Sequence, residues 1–228
     1  MKLLIVEDDQ NVIDALTDDL GEILEAAELT ICRSRDAALA AISRGTFEYA
    51  VLDLKIPTAD DQLDAEIDHG RAVYDQLRAA LPGTPICFLT GFATDDFIMD
   101  RFQEAEMVDV WGTGIQEPML RLIPKKRLNE LGSLIRAVKG QITLTDDIEL
   151  IAPNLPSLDC RVVRIFGRRH HAGSLLVEEL SGGLSDVRVR RLTVRDFHGN
   201  VHLVTVARIG TRAEIKKELQ GYAPWKSL

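Results

Sequence analysis

Long apolar runs are missing from this sequence. Stretches such as Leu3–Val6 and Ile86–Leu89 fall far short of the ~20 residues that cross a bilayer. The N-terminus has neither an extended apolar core nor a small-residue cleavage site, so no signal peptide is expected. Cysteine is scarce: Cys32, Cys87 and Cys160 lie far apart and none sits in a CxxC. This argues against a disulfide frame or a zinc site and points to reduced thiols in a cytoplasmic protein. Internal repeats, low-complexity segments and dense Lys/Arg tracts are also absent.

Acidic charge, by contrast, is plentiful and uneven. The formal net charge is −9; residues 1–140 carry 14 basic and 26 acidic side chains, the remainder 13 and 10. Phosphates would be repelled by the first part, which argues against nucleic acid as its partner. The mildly basic remainder supports DNA binding only weakly.

The first part alternates two kinds of segment. Leu3–Val6, Leu29–Cys32, Tyr49–Leu52, Ile86–Leu89 and a weaker run over Leu120–Ile123 read as buried strands. Helix-period stretches separate or follow them: Asn11–Glu25, Asp36–Ser43, Gly70–Leu81, Asp95–Glu106 and Arg127–Val138. Such alternation predicts an α/β domain with a doubly wound, mostly parallel sheet. Sheets of this kind place their chemistry at the carboxyl ends of the strands.

Those ends are distinctive. The first strand runs into Glu7, Asp8 and Asp9, the third into Asp53, the fourth into Thr90 and the weak fifth into Lys125. On one rim, Glu7, Asp8 and Asp53 would oppose full ionisation unless a cation joined them. With only oxygen ligands on offer, the expected ion is Mg²⁺ or Mn²⁺. A metal-held carboxylate beside a hydroxyl and an ammonium suits phosphoryl transfer. Asp9 reads as the N-cap of the first helix.

The set IVEDD, VLDLKIP, FLTG and IPKK, in order and after the right strands, resembles the receiver domain of two-component response regulators over residues 1–139. The resemblance implies a five-stranded, flavodoxin-like sheet with Asp53 as phosphoacceptor. It also implies metal ligation by Glu7, Asp8, Asp53 and the Lys55 carbonyl, with Thr90 and Lys125 contacting the phosphoryl group. Histidine kinases or small phosphodonors would supply that group, and the chain would not be a conventional enzyme. Several departures stand out. The loop TADDQLDAEIDHG is long and acidic, VDVWGTGIQEPML is inserted before the fifth strand, and Lys126 follows Lys125 where a proline is usual. Leu122 occupies the aromatic switch position.

Residues 140–160 read as a linker, and 161–228 as a smaller α+β output domain. Its expected strands are RVVRIF (161–166), SLLVEEL, VRVRRLTV and VHLVTVARI, with DFHGN as a hairpin turn. Thr211 and Glu214 form a capping box for a last helix. Strand, Gly-rich loop (181–186), strand, strand and helix resemble the amino-terminal lobe of kinase-like phosphotransferases. Arg208 then stands for the usual lysine and Glu218 is its helix partner, and kinase activity by this chain alone is not expected. His170–His171 read as part of a basic solvent loop rather than a metal pair. Leu219, Tyr222 and Trp225 either cap the sheet or form a docking face.

The first reading is thus a phosphorylation switch whose C-terminal domain engages a protein partner, with homodimerisation left open. Two alternatives remain. One is a phosphorylation-independent adaptor; the other is a nucleotide sensor or half of a composite kinase, using the 182–186 loop and Arg208.

Overall fold

Four residues buried on both faces are enough to commit a segment to the middle of a parallel sheet, and three strands here meet that condition. In the computed structural model, which describes residues 1–91, 100–101, 103, 105–152, 154–180 and 187–222, β1 (Leu3–Val6) and β3 (Tyr49–Leu52) are wholly buried. So is β4 (Ile86–Thr90). With β2 (Leu29–Cys32) and β7 (Leu120–Pro124) they form one sheet in the order β2-β1-β3-β4-β7. Every pairing in it is parallel. The expected five-stranded, doubly wound architecture is therefore the observed one.

Helices α1 (Gln10–Gly21), α2 (Arg35–Arg44), α3 (Ile67–Ala80) and α4 (Asn129–Asp146) accompany this sheet. Asp9 caps α1, accepting a hydrogen bond from the Asn11 amide. One core cluster joins Leu4, Val6, Leu52 and Phe88 to Val73 and Leu77 of α3. Each such side chain contributes on the order of 2 kcal/mol by leaving water. The expected helix over Asp95–Glu106 falls largely outside the described residues. Before β7, β5 (Met107–Val108) and β6 (Glu117–Pro118) pair as a short antiparallel ribbon at the base of the inserted stretch.

The chain divides into two compact units. The first comprises Met1–Val110 and Ile115–Ile142, the second Trp111–Gly114 and Thr143–Leu228. In the second, β8 (Glu149–Ile151), β9 (Ser174–Glu179), β10 (Arg188–Arg195) and β11 (Val201–Ile209) form a sheet in the order β11-β10-β9-β8. Helix α5 (Ser157–Arg169) packs Val163 against Val177, Leu192 and Ile209. Residues 111–114 belong here because Trp111 is buried with Arg161 over its ring. Arg168 also donates to the Trp111 carbonyl. Gly112 has φ +69°, and a Cβ there would lie 2.2 Å from the Ile165 carbonyl oxygen.

Three expectations for this region need correction. RVVRIF is not a strand but the body of α5: Asp159, Val163 and Gly167, spaced four apart, are its buried face. That helical spacing overrides the β-branched composition. Residues 140–160 are not a plain linker, since they hold the end of α4, all of β8 and the start of α5. Finally, the kinase-lobe resemblance is not supported. The unit begins strand–helix–strand, and β8 runs parallel to β9. The 181–186 loop and Trp225 lie outside the described residues, whereas Arg208 and Glu218 do form an ion pair at 2.6 Å.

The remaining strands follow expectation. In the β10–β11 hairpin, Asp196 accepts from the amides of His198 and Asn200 while Gly199 takes φ +83°. Thr211 and Glu214 cap α6 (Arg212–Tyr222) reciprocally. His170 is the C-cap of α5, and its carbonyl accepts from His202. Leu219 of α6 is exposed.

Candidate functional site

Parallel pairing decides where the chemistry-bearing residues meet. Val6 is in register with Leu52, so Glu7 and Asp53 leave adjacent strands side by side. The sheet continues past both strand ends: Asp53 N–H donates to the Val6 carbonyl and Glu7 N–H to the Cys32 carbonyl. Ligand oxygens of Glu7, Asp8 and Asp53 all lie within 4.8 Å of one another. Thr90, the last residue of β4, pairs with Pro124 of β7, and Lys125 follows.

Lys125 ties the cluster together. Its Nζ donates to Glu7 Oε1 at 2.8 Å and to Asp53 Oδ2 at 2.7 Å. These partners are 118 and 72 residues away in sequence. The other Asp53 oxygen accepts from the Lys55 amide at 3.3 Å, and Glu7 Oε1 also accepts from the Asp9 amide. Lys55 itself is exposed, Asp8 half-buried, and Glu7 fully buried.

Burial shapes the electrostatics. Desolvation pushes the Glu7 carboxyl up to about 7, with the nearby Asp53 charge adding to the rise and the Lys125 hydrogen bond opposing it. Asp53 is also raised, by desolvation first, with Lys125 again opposing. Desolvation acts to lower Lys125, yet its hydrogen bonds to Asp53 and Glu7 prevail and hold its ammonium above the usual range.

Glu7 Oε2 is buried without a hydrogen-bond partner. A buried carboxylate oxygen left in this state is costly, and a hard cation shared with Asp8 and Asp53 would satisfy it. Three carboxylates with no sulfur or imidazole among them fit Mg²⁺.

An open cleft of about 1030 Å³ runs from these residues to the start of α3. Asp53, Thr90 and Lys125 line it, and so do Ile67, Asp68 and Arg71. The latter three stand in the first turns of α3, Ile67 and Asp68 in the stretch that reads as a loop and Arg71 just after it, and none is a candidate in the sequence reading. The loop is firmly built: the Arg35 and Asp36 amides, at the N-terminus of α2, donate to the carbonyls of Pro57 and Thr58. Ser34 donates to Asp60 at 2.6 Å, and His69 Nδ1 donates to the Ile56 carbonyl at 2.9 Å. Gly70 then presses against Leu54, where a Cβ would lie 2.3 Å from the Leu54 Cα. The one local signal was the glycine itself, since only that residue permits such an approach.

No protein-family model matches the chain, and no curated protein matches it. Solved structures do. A CheY-like response regulator receiver domain protein from Methanospirillum hungatei is 19% identical, covers 62% of this chain and 96% of its own, and superposes with a TM-score of 0.42. The response regulator TrrA from Thermotoga maritima, solved with Mg²⁺ and BeF, gives 19% identity, 60% and 99% coverage, and 0.42. The receiver domain of a Pseudomonas aeruginosa sensor histidine kinase, with magnesium in its active-site cleft, gives 21%, 61% and 97%, and 0.41.

Proposed function

We propose that this chain is a response-regulator-type phosphorylation switch in which Asp53 accepts a phosphoryl group. The observation that carries the reading is the Lys125 bridge between Asp53 and Glu7, at 2.7 and 2.8 Å, on the rim where three carboxylates converge. In this reading Glu7, Asp8, Asp53 and the Lys55 carbonyl hold Mg²⁺, which when bound offsets charge on the phosphoryl oxygens. Asp53 attacks phosphorus as the carboxylate, a form that Lys125 favours. The Thr90 hydroxyl then donates to a phosphoryl oxygen, and Lys125 transfers its pairing to the new dianion. A histidine kinase or a small phosphodonor supplies the group. The second unit, Trp111–Gly114 with Thr143–Leu228, is the output and engages a protein partner; the chain turns over no other substrate.

The test is Mg²⁺-dependent binding of beryllofluoride, an acyl-phosphate mimic, by the full chain and by Asp53→Ala, with mass measured in parallel. Binding by the wild type alone supports the switch, and a mass change would tie it to dimerisation. No binding by the wild type would leave a phosphorylation-independent adaptor as the better account.

A further inference from the structure

The sheet of the second unit has one long open edge. In the order β11-β10-β9-β8, no described strand lies beyond β11, and at the other edge β8 has three residues. β11 runs for nine residues, VHLVTVARI, without a proline, a lysine or an acid. Its ladder with β10 is regular from Arg188↔Ile209 to Val194↔Leu203, and the register shifts only at the hairpin end. Prolines, lysines and bulges are the usual means of blunting an edge. The middle of β11 has none of them, and Val204 and Val206 are 49% and 56% exposed. Main-chain direction follows from the neighbouring ladder. Leu180 N–H donates to the Val189 carbonyl, so odd-numbered residues of β10 bond β9 and even-numbered ones bond β11. Leu203, Thr205 and Ala207 therefore turn their amides and carbonyls toward β10, while Val204 and Val206 turn theirs to the open edge. Side chains alternate as well. Leu203, Ala207 and Ile209 join the clusters shared with α5, and Val204 and Val206 stand on the opposite face.

We propose that β11 pairs antiparallel with β11 of a second copy of this chain, about a two-fold axis at Thr205. The pairing does not depend on phosphorylation at Asp53. A row of edge amides and carbonyls is matched by another extended strand, and this strand complements itself. Thr205 is the middle residue of Val201–Ile209, so an axis there uses the whole length of β11. Val204 of each copy then lies opposite Val206 of the other. Both positions carry edge-facing main-chain groups, so each such pair exchanges two hydrogen bonds. A slip by one residue would set edge-facing groups against groups already turned to β10. Packing agrees on both faces. Valine meets valine on the open face, and on the other Leu203 lies opposite Ala207 of the second copy. The chargeable side chains near the strand ends are engaged within their own copy: His202 donates to the His170 carbonyl, and Arg208 pairs with Glu218. Pairing of one strand buries less than the roughly 1,200 Å² of a stable interface, so the dimer is a micromolar one.

Sedimentation of the full chain from about 1 to 200 µM tests the pairing. The wild type shifts from the chain mass toward twice that mass, and Asp53→Ala does the same. Val204→Lys combined with Val206→Lys sets like charges opposite each other on both sides of the axis, and association weakens at least about tenfold. Val204→Glu combined with Val206→Glu has the same effect. Mixing the two double variants restores association, because every cross-axis pair then joins opposite charges. Hydrogen exchange supplies a readout that needs no substitution: in the wild type, the amides of Val204 and Val206 exchange more slowly as concentration rises. A wild type that stays monomeric overturns the proposal and leaves the edge to a strand of another protein. A dimer that both double variants retain, or one whose Val204 and Val206 amides exchange at the same rate at every concentration, places the interface elsewhere and overturns it too. Folded variants whose mixture stays monomeric would refute the Thr205 axis.

Discussion

Glu7 and Glu28 show how the same side chain is bent in opposite directions by its surroundings. Glu7 is stripped of water and its carboxyl rises to about 7. For Glu28, desolvation also acts upward but is outweighed by hydrogen bonds from the Met1 amino group, the Glu25 amide and Lys139, so its carboxyl falls to about 2. The folded value lies below the reference 4.5, so Glu28 stabilises the fold fully above that pH, and this is lost as pH falls toward 2. Glu28→Gln is expected to cost about 1 kcal/mol at neutral pH, as for a partly exposed ionic network. It should also flatten the acid limb of stability measured by urea denaturation. An acid limb as steep in the variant as in the wild type would refute this. At this scale the sequence was readable where chemistry follows strand ends: Glu7, Asp53, Thr90 and Lys125 each sit just at or beyond one. Ile67, Asp68 and Arg71 were not, because a lone glycine at 70 signals a close approach without saying that Leu54 is what it meets.

Elements buried on both faces announce themselves; elements held by distant partners do not. The runs before Glu7 and Asp53 are uniformly apolar, and their burial matches. RVVRIF is equally rich in β-branched residues yet forms a helix, because Asp159, Val163 and Gly167 face the second sheet while Val162 points to solvent. A six-residue window does not distinguish the two periods; the whole 13-residue helix does. β8 has three residues and was invisible, being stabilised by parallel pairing with β9. The long loop after Asp53 was visible as an anomaly, but its anchoring on the N-terminus of α2 was not. Helix α3 supplies the test at this scale. Gly70→Ala forces a Cβ into the Leu54 backbone, and overpacking of this kind costs about 1–3 kcal/mol. Thermal denaturation should show that loss, and beryllofluoride affinity should drop with it as the cleft wall shifts. Unchanged affinity in a destabilised variant would mean that α3 does not shape the site.

Across the whole molecule, the acidic excess lies in residues 1–140 and the basic excess in those after them, a division readable by counting. The division into compact units was less readable, because Trp111–Gly114 counts with the second unit while the chain on either side of it counts with the first. Gly112→Ala tests that assignment. With φ +69° and the Ile165 carbonyl 2.2 Å from a new Cβ, the variant should lose at least about 1 kcal/mol. The loss should appear in the unfolding of the second unit, followed through Trp111 fluorescence with Trp225 replaced by Phe. An unshifted Trp111 transition would show that the segment can leave α5 freely. For modular exchange the consequence is concrete. A single crossover in the gene after Ile142 would carry Trp111–Gly114 away from the helix they pack on and give the transplanted unit a bare α5. Swapping either unit into another protein therefore takes a graft in two pieces, and a lineage that shuffles domains by single joins would keep this pair together.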